Sequence, residues 1–120
     1  MRLTVRQQGT IDLCNLDIFK RAVRDNEDLG VFVSKENCPV CDIFDEVVAR
    51  INEEVDTPLV GIDLPEKEDD DPCSKVADYL RVEKTPTFIR FVRGQERGRL
   101  VPSGEPERDL EDLRRLLAPG

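Results

Sequence analysis

Residues 31–51 read Val31-Phe32-Val33-Ser34-Lys35-Glu36-Asn37-Cys38-Pro39-Val40-Cys41-Asp42-Ile43-Phe44-Asp45-Glu46-Val47-Val48-Ala49-Arg50-Ile51, and a change of rhythm inside this stretch decides the fold. Val31-Phe32-Val33 is a short apolar run punctuated by Gly30, which predicts a buried strand. Beyond Cys38 the apolar residues return at helical spacing, at Ile43, Phe44, Val47, Val48 and Ile51, with Val55 continuing the stripe. Pro39 suits a first helical turn, where a missing N–H costs nothing. Two cysteines, spaced Cys-x-x-Cys, therefore stand where a strand hands over to a helix.

Outward from this point the same alternation repeats. Upstream, Ile18, Phe19, Ala22 and Val23 form one face of a helix that follows Asp17, and Leu3–Val5 and Thr10–Leu13 are short strand candidates before it. Downstream, Pro58 precedes a strand at Leu59–Ile62. An acidic run from Glu66 to Asp71 lacks the spacing of a calcium loop and reads as a solvated connection. Asp71-Pro72 predicts a cap and first helical residue, with Val76, Ala77 and Leu80 as the buried stripe. Thr85-Pro86-Thr87 opens a strand at Phe88–Val92, whose Phe88 and Phe91 are expected in the packing. Arg93-Gly94-Gln95 is a turn, Arg99–Val101 a last strand, and Pro106 starts a helix with Leu110, Leu113 and Leu117 inside. Strands joined through helices pair in parallel, while the short turn at Gly94 demands an antiparallel pair. The expected class is α/β, a mixed central sheet of four to five strands flanked by helices on both faces, in one domain over residues 1–120.

Composition narrows the chemistry. The net charge of −8 opposes nucleic-acid binding, because phosphates would be repelled. No stretch approaches the roughly 20 apolar residues that span a bilayer. The residues from Met1 to Gln7 carry no apolar run of signal-peptide type, so the expected location is cytoplasmic, without nucleic acid or membrane as a partner. The chain has no histidine, which excludes Cys-His and Ser-His nucleophilic sites and every zinc site that needs imidazole. In a reducing cytoplasm a Cys-x-x-Cys pair is catalytic or metal-binding before it is a static staple.

The chain resembles the thioredoxin superfamily over essentially its whole length. The resemblance rests on Cys38-Pro39-Val40-Cys41 between strand and helix, on Thr85-Pro86-Thr87 before the penultimate strand, on Gly94 in the hairpin, and on the element order. It implies the thioredoxin fold and reduction of protein disulfides. Cys38, at the exposed start of a helix, would be the nucleophile, and Cys41, one turn further in, would resolve the mixed disulfide. The resemblance also implies a cis Pro86, with the backbone of Thr85 holding an extended substrate segment. The implied partners are disulfide-containing proteins and an electron donor of the thioredoxin reductase type; no cofactor is expected. Three features depart from the family. Asn37 replaces the usual tryptophan, and Pro39-Val40 replaces Gly-Pro, as in glutaredoxins and protein disulfide isomerases. Phe32 stands where a buried aspartate is usual, six residues before the first cysteine, and the acidic loop is longer than usual.

Two rival readings stay open. Cys14 and Cys73 could join Cys38 and Cys41 as zinc ligands in a redox-silent interaction module, although four-cysteine sites usually supply two close pairs. A glutaredoxin-like enzyme would use glutathione, with Lys35 as the candidate for its carboxylate. In the redox reading, Cys14 and Cys73 form a second disulfide if their strand and helix ends emerge side by side, or stay inert thiols.

Overall fold

A computed structural model describes residues 14–65 and 72–119. The elements run α1 (Leu16–Asp25), β1 (Asp28–Lys35), α2 (Pro39–Asn52), β2 (Leu59–Leu64), α3 (Pro72–Tyr79), β3 (Thr87–Val92), β4 (Gln95–Leu100) and α4 (Pro106–Leu116). The strand candidates Leu3–Val5 and Thr10–Leu13 and the acidic run 66–71, including the Asp71 cap, lie outside the described residues.

The sheet order is β2-β1-β3-β4. β1 and β2 pair in parallel through the crossover helix α2, with Val31 opposite Val60 and Val33 opposite Ile62. β3 runs antiparallel to β1, and β4 antiparallel to β3. Arg93 and Gly94 both adopt positive φ, 53° and 81°, in the turn that joins this last pair. Two such residues in a row match the twist of a two-stranded ribbon, and glycine takes one of them without a Cβ clash.

Side chains alternate across the strands, and two cores follow from that alternation. Leu29, Val31 and Val33 of β1 join Val60 and Ile62 of β2 against Phe19 and Val23 of α1 and Val76 and Ala77 of α3. Phe32 of β1, Leu59 of β2 and Phe88 of β3 face the other way, against Phe44, Val48 and Ile51 of α2 and Leu110 and Leu113 of α4. Phe44 sits edge-on to Phe32 and to Phe88, with centroids 5.3 and 6.5 Å away.

Three expectations need correction. Gly30 lies inside β1 rather than before it, because a Cβ there would meet Leu59 Cδ2 and Phe88 Cζ at 2.7 Å. It is a close-approach glycine and not a strand boundary. Ile18 and Ile43, placed on the buried stripes of α1 and α2, are each 39% exposed. Val55 lies past the end of α2 and packs only partly against the second core.

The end of the sheet where β1 begins is closed by charge. Arg90 of β3 donates to both carboxylate oxygens of Asp28, at 3.1 and 2.8 Å, and Thr57 adds a third donor at 3.3 Å. The same guanidinium donates to the carbonyls of Leu116 and Ala118, at 3.0 and 2.8 Å. Those carbonyls lie at the end of α4, where a helix runs out of its own donors. Every polar group in this cluster has work inside the fold.

Candidate redox site

At the opposite end of β1 the chain turns through Asn37, whose φ of 56° is left-handed, and enters α2 at Cys38. Asparagine tolerates that conformation better than most residues. Cys38 is extended, at φ −116° and ψ 100°, and serves as the cap of α2. Its Sγ accepts the backbone N–H of Cys41 at 3.1 Å. The backbone carbonyl of Thr85 lies 3.9 Å from the same sulfur. Cys38 and Cys41 form a disulfide with Cα atoms 5.1 Å apart. Cys38 is half-buried, whereas Cys41 is 3% exposed. Val40 and Ile43, on the first turn of α2, are among the exposed large apolar side chains. The Thr85–Pro86 bond is cis, and Pro86 is buried beneath half-buried Thr85.

The structure joins Cys14 and Cys73 in a second disulfide, with Cα atoms 4.2 Å apart, tying the entry of α1 to the first turn of α3. Both sulfurs lie at the first core, Cys73 within it and Cys14 against it. The four cysteines are thus drawn into two pairs, and a sulfur in a disulfide is not the thiolate that zinc takes. Among the described residues no cluster of three or more potential metal ligands occurs, and no helix is long and apolar enough to cross a membrane.

Beneath the motif is a cavity of about 170 Å³ lined by Phe32, Ser34, Cys41, Asp45 and Asp63, with Lys35, Glu36, Asn37 and Asp42 around its rim. Ser34 of β1 and Asp63 of β2 are register partners, and the serine hydroxyl donates to Asp63 Oδ1. Asp45 follows Cys41 by one turn of α2 and faces the same cavity. Its Oδ1 is buried without a hydrogen-bond partner. Burial raises its carboxyl above the ordinary value, and the negative charges of Asp63, Asp42 and Glu46 push the same way.

No protein-family model matches the chain, and no curated protein does. Solved structures do. A mutant thioredoxin from Halobacterium salinarum superposes with a TM-score of 0.66 at 17% identity, over 93% of this chain and 99% of that one. Oxidised thioredoxin O2 from Arabidopsis thaliana gives 0.69 at 20% identity, over 89% and 92%. Thioredoxin from Aeropyrum pernix gives 0.62 at 21% identity, over 83% and 82%. This chain has the thioredoxin fold.

Within the thioredoxin fold, Phe32 fills the one position where the family pattern predicts a buried carboxylate. Asp45 and Asp63 are not predicted by that pattern, because they reach the cavity from a helix and a neighbouring strand. Two signals pointed to them. Asp45 stands one helical turn after Cys41, on a stripe that is otherwise apolar, and Asp63 shares the strand face of buried Leu59.

Proposed function

We propose that the protein is a thiol–disulfide oxidoreductase that reduces protein disulfides, with Cys38 as nucleophile and Cys41 as resolving thiol. One observation carries the reading: a half-buried Cys38 caps α2 within disulfide reach of a buried Cys41, beside the Thr85 carbonyl. In the reduced protein, a Cys38 thiolate takes the Cys41 N–H and the positive end of the helix dipole as its stabilisers. It attacks one sulfur of the target disulfide and releases the other as a thiolate. Cys41 then attacks Cys38, frees the second target sulfur and leaves the Cys38–Cys41 disulfide. Two electrons pass from the dithiol to the target, and an external dithiol of the thioredoxin reductase type restores them.

The substrate segment lies along Thr85 and Pro86, with Val40 and Ile43 as apolar contacts. Lys35 does not make a glutathione site on this reading. It shares the cavity with Glu36, Asp42, Asp45 and Asp63, which oppose a second carboxylate. The cytoplasm supplies the reducing poise such an enzyme needs, and residues 1–120 act as one domain.

The test is a Cys41→Ser protein presented with an insulin-type disulfide. It should accumulate a mixed disulfide through Cys38, read by mass spectrometry, while the wild type turns over when coupled to a thioredoxin reductase-type donor and not to glutathione. Linkage through any other cysteine, or no linkage, refutes the assignment.

A further inference from the structure

The resolving step needs a base that the two cysteines do not provide. Cys41 is 3% exposed, and burial in apolar surroundings keeps a thiol protonated. A neutral thiol is a poor nucleophile, so its proton must leave as attack begins. Solvent reaches that sulfur poorly, and the chain has no histidine to take the proton. The cavity beside Cys41 holds two carboxylates, and they are not equivalent. Asp63 is engaged by the Ser34 hydroxyl, whereas Asp45 Oδ1 is buried and without a hydrogen-bond partner.

Building on the exchange reading above, we infer that Asp45 is the proton acceptor and donor for Cys41, working across the cavity that both side chains line. In the mixed disulfide, the Cys41 S–H proton passes to Asp45 Oδ1, and the thiolate attacks Cys38 Sγ. The Cys38–Cys41 bond forms as the bond from Cys38 to the target breaks. The target sulfur leaves as a thiolate and takes a proton equivalent to the one that Asp45 holds. No other oxidant or reductant is needed, since the target disulfide takes the two electrons the dithiol gives.

The electrostatics suit that task. Asp63 from β2 and Asp42 and Glu46 from α2 act on Asp45 with like charge, and Glu36 and Lys35 also border the cavity. Burial adds to this, and a carboxylate whose proton affinity is raised is a better match for a thiol than an ordinary one. Where a thiol and a carboxylate interact closely, the midpoint of the pH profile belongs to the pair and not to either group alone.

A chromogenic aryl disulfide tests this without any protein substrate. The reduced protein first forms an aryl mixed disulfide at Cys38, releasing one aryl thiolate. Closure by Cys41 then releases a second, and the two phases are read by stopped flow across pH. Asp45→Asn should slow the second phase roughly tenfold to a hundredfold near neutral pH while the first keeps its rate. Its pH profile should lose the rise that follows Asp45 ionisation and keep only the alkaline rise of the thiol itself. Asp63→Asn, which still accepts from Ser34, should move the wild-type midpoint to lower pH by removing a like charge. An Asp45→Asn protein that closes at the wild-type rate with an unchanged profile overturns the inference and leaves the exchange reading standing. A wild type that forms the mixed disulfide but never closes overturns both.

Discussion

At the start of β1, Asp28 meets Arg90, and each of the three guanidinium nitrogens and both carboxylate oxygens has a partner: the bidentate pair itself, a threonine hydroxyl, and two carbonyls at the end of α4. Beyond the end of the same strand, Asp45 and Asp63 share a cavity bordered by Lys35, Glu36 and Asp42, and one oxygen of Asp45 is buried without a hydrogen-bond partner. A buried charge is tolerated when it is paired, and an unpaired one shifts its proton affinity instead. The first arrangement holds the fold together, and the second leaves a titratable group poised beside a thiol. The two ends also differ in how they are fastened. The motif end carries the Cys14–Cys73 bridge, whereas the far end relies on ions and hydrogen bonds.

Cutting the covalent fastening should produce the largest loss. The bridge spans 59 residues, and the chain-entropy treatment gives such a loop about 4 kcal/mol. Cys73→Ser should therefore unfold at distinctly lower urea than the oxidised wild type, and the gap should close when both are fully reduced. Exchange through Cys38 should survive. If the gap persisted under reduction, packing of the Cys73 side chain, and not the bridge, would be the source of the loss.

Cutting the ionic fastening should cost somewhat less. Arg90→Met keeps much of the buried volume but strands Asp28 and two carbonyls of α4, a loss of about 3 kcal/mol by analogy with other buried pairs. Urea unfolding measures it, and the two-phase aryl disulfide assay should show unchanged rates, since the far end takes no part in the chemistry. A slowed closure phase would show that the two ends are coupled through β1 or β3 and do not act independently.

The asymmetry also explains what could be read from the chain. The strand and helix framework was legible because burial follows period: Phe44, Val47, Val48 and Ile51 repeat every three or four residues and all lie inside. The Cys38–Cys41 site was legible for a related reason, since its residues are neighbours in sequence. The cavity was not, because it assembles Ser34, Asp45 and Asp63 from three elements, and only the parallel register of β1 with β2 sets Ser34 beside Asp63. The Asp28–Arg90 pair was hidden in the same way, being joined across β1 and β3 by residues 62 positions apart. Ile43 stands at the margin of the apolar stripe of α2, where helical spacing alone does not bring burial, whereas Cys41 and Phe44 on either side of it are inside.

The smallest expected effect is a gain in stability, and its pH dependence separates the two ends most sharply. Asp45 has a folded-state proton affinity above its ordinary value of 3.8, with burial as the main cause. The folded protein therefore holds that proton more tightly than the unfolded chain does. As pH rises from the unfolded value through the folded one, the unfolded state binds fewer protons than the folded state, and stability falls. Above both values the full penalty of a charged, partly buried carboxylate is present; below both it is absent. Asp45→Asn removes the charge, so it should raise the melting temperature by a few degrees near neutral pH. That gain should shrink as pH falls through the folded-state value and vanish once the wild-type carboxyl is protonated in both states. Thermal melts of the oxidised proteins across this range measure it without interference from thiol chemistry. Arg90→Met makes a useful contrast, because it is destabilising near neutral pH, where Asp45→Asn is stabilising. A gain for Asp45→Asn that stayed constant down to acid pH would point to helix propensity or packing, and would remove the electrostatic reason for treating Asp45 as poised. A gain that disappears on acidification, in a variant that also closes its disulfide slowly, would mean that the motif end gives up stability for a carboxylate it needs during exchange.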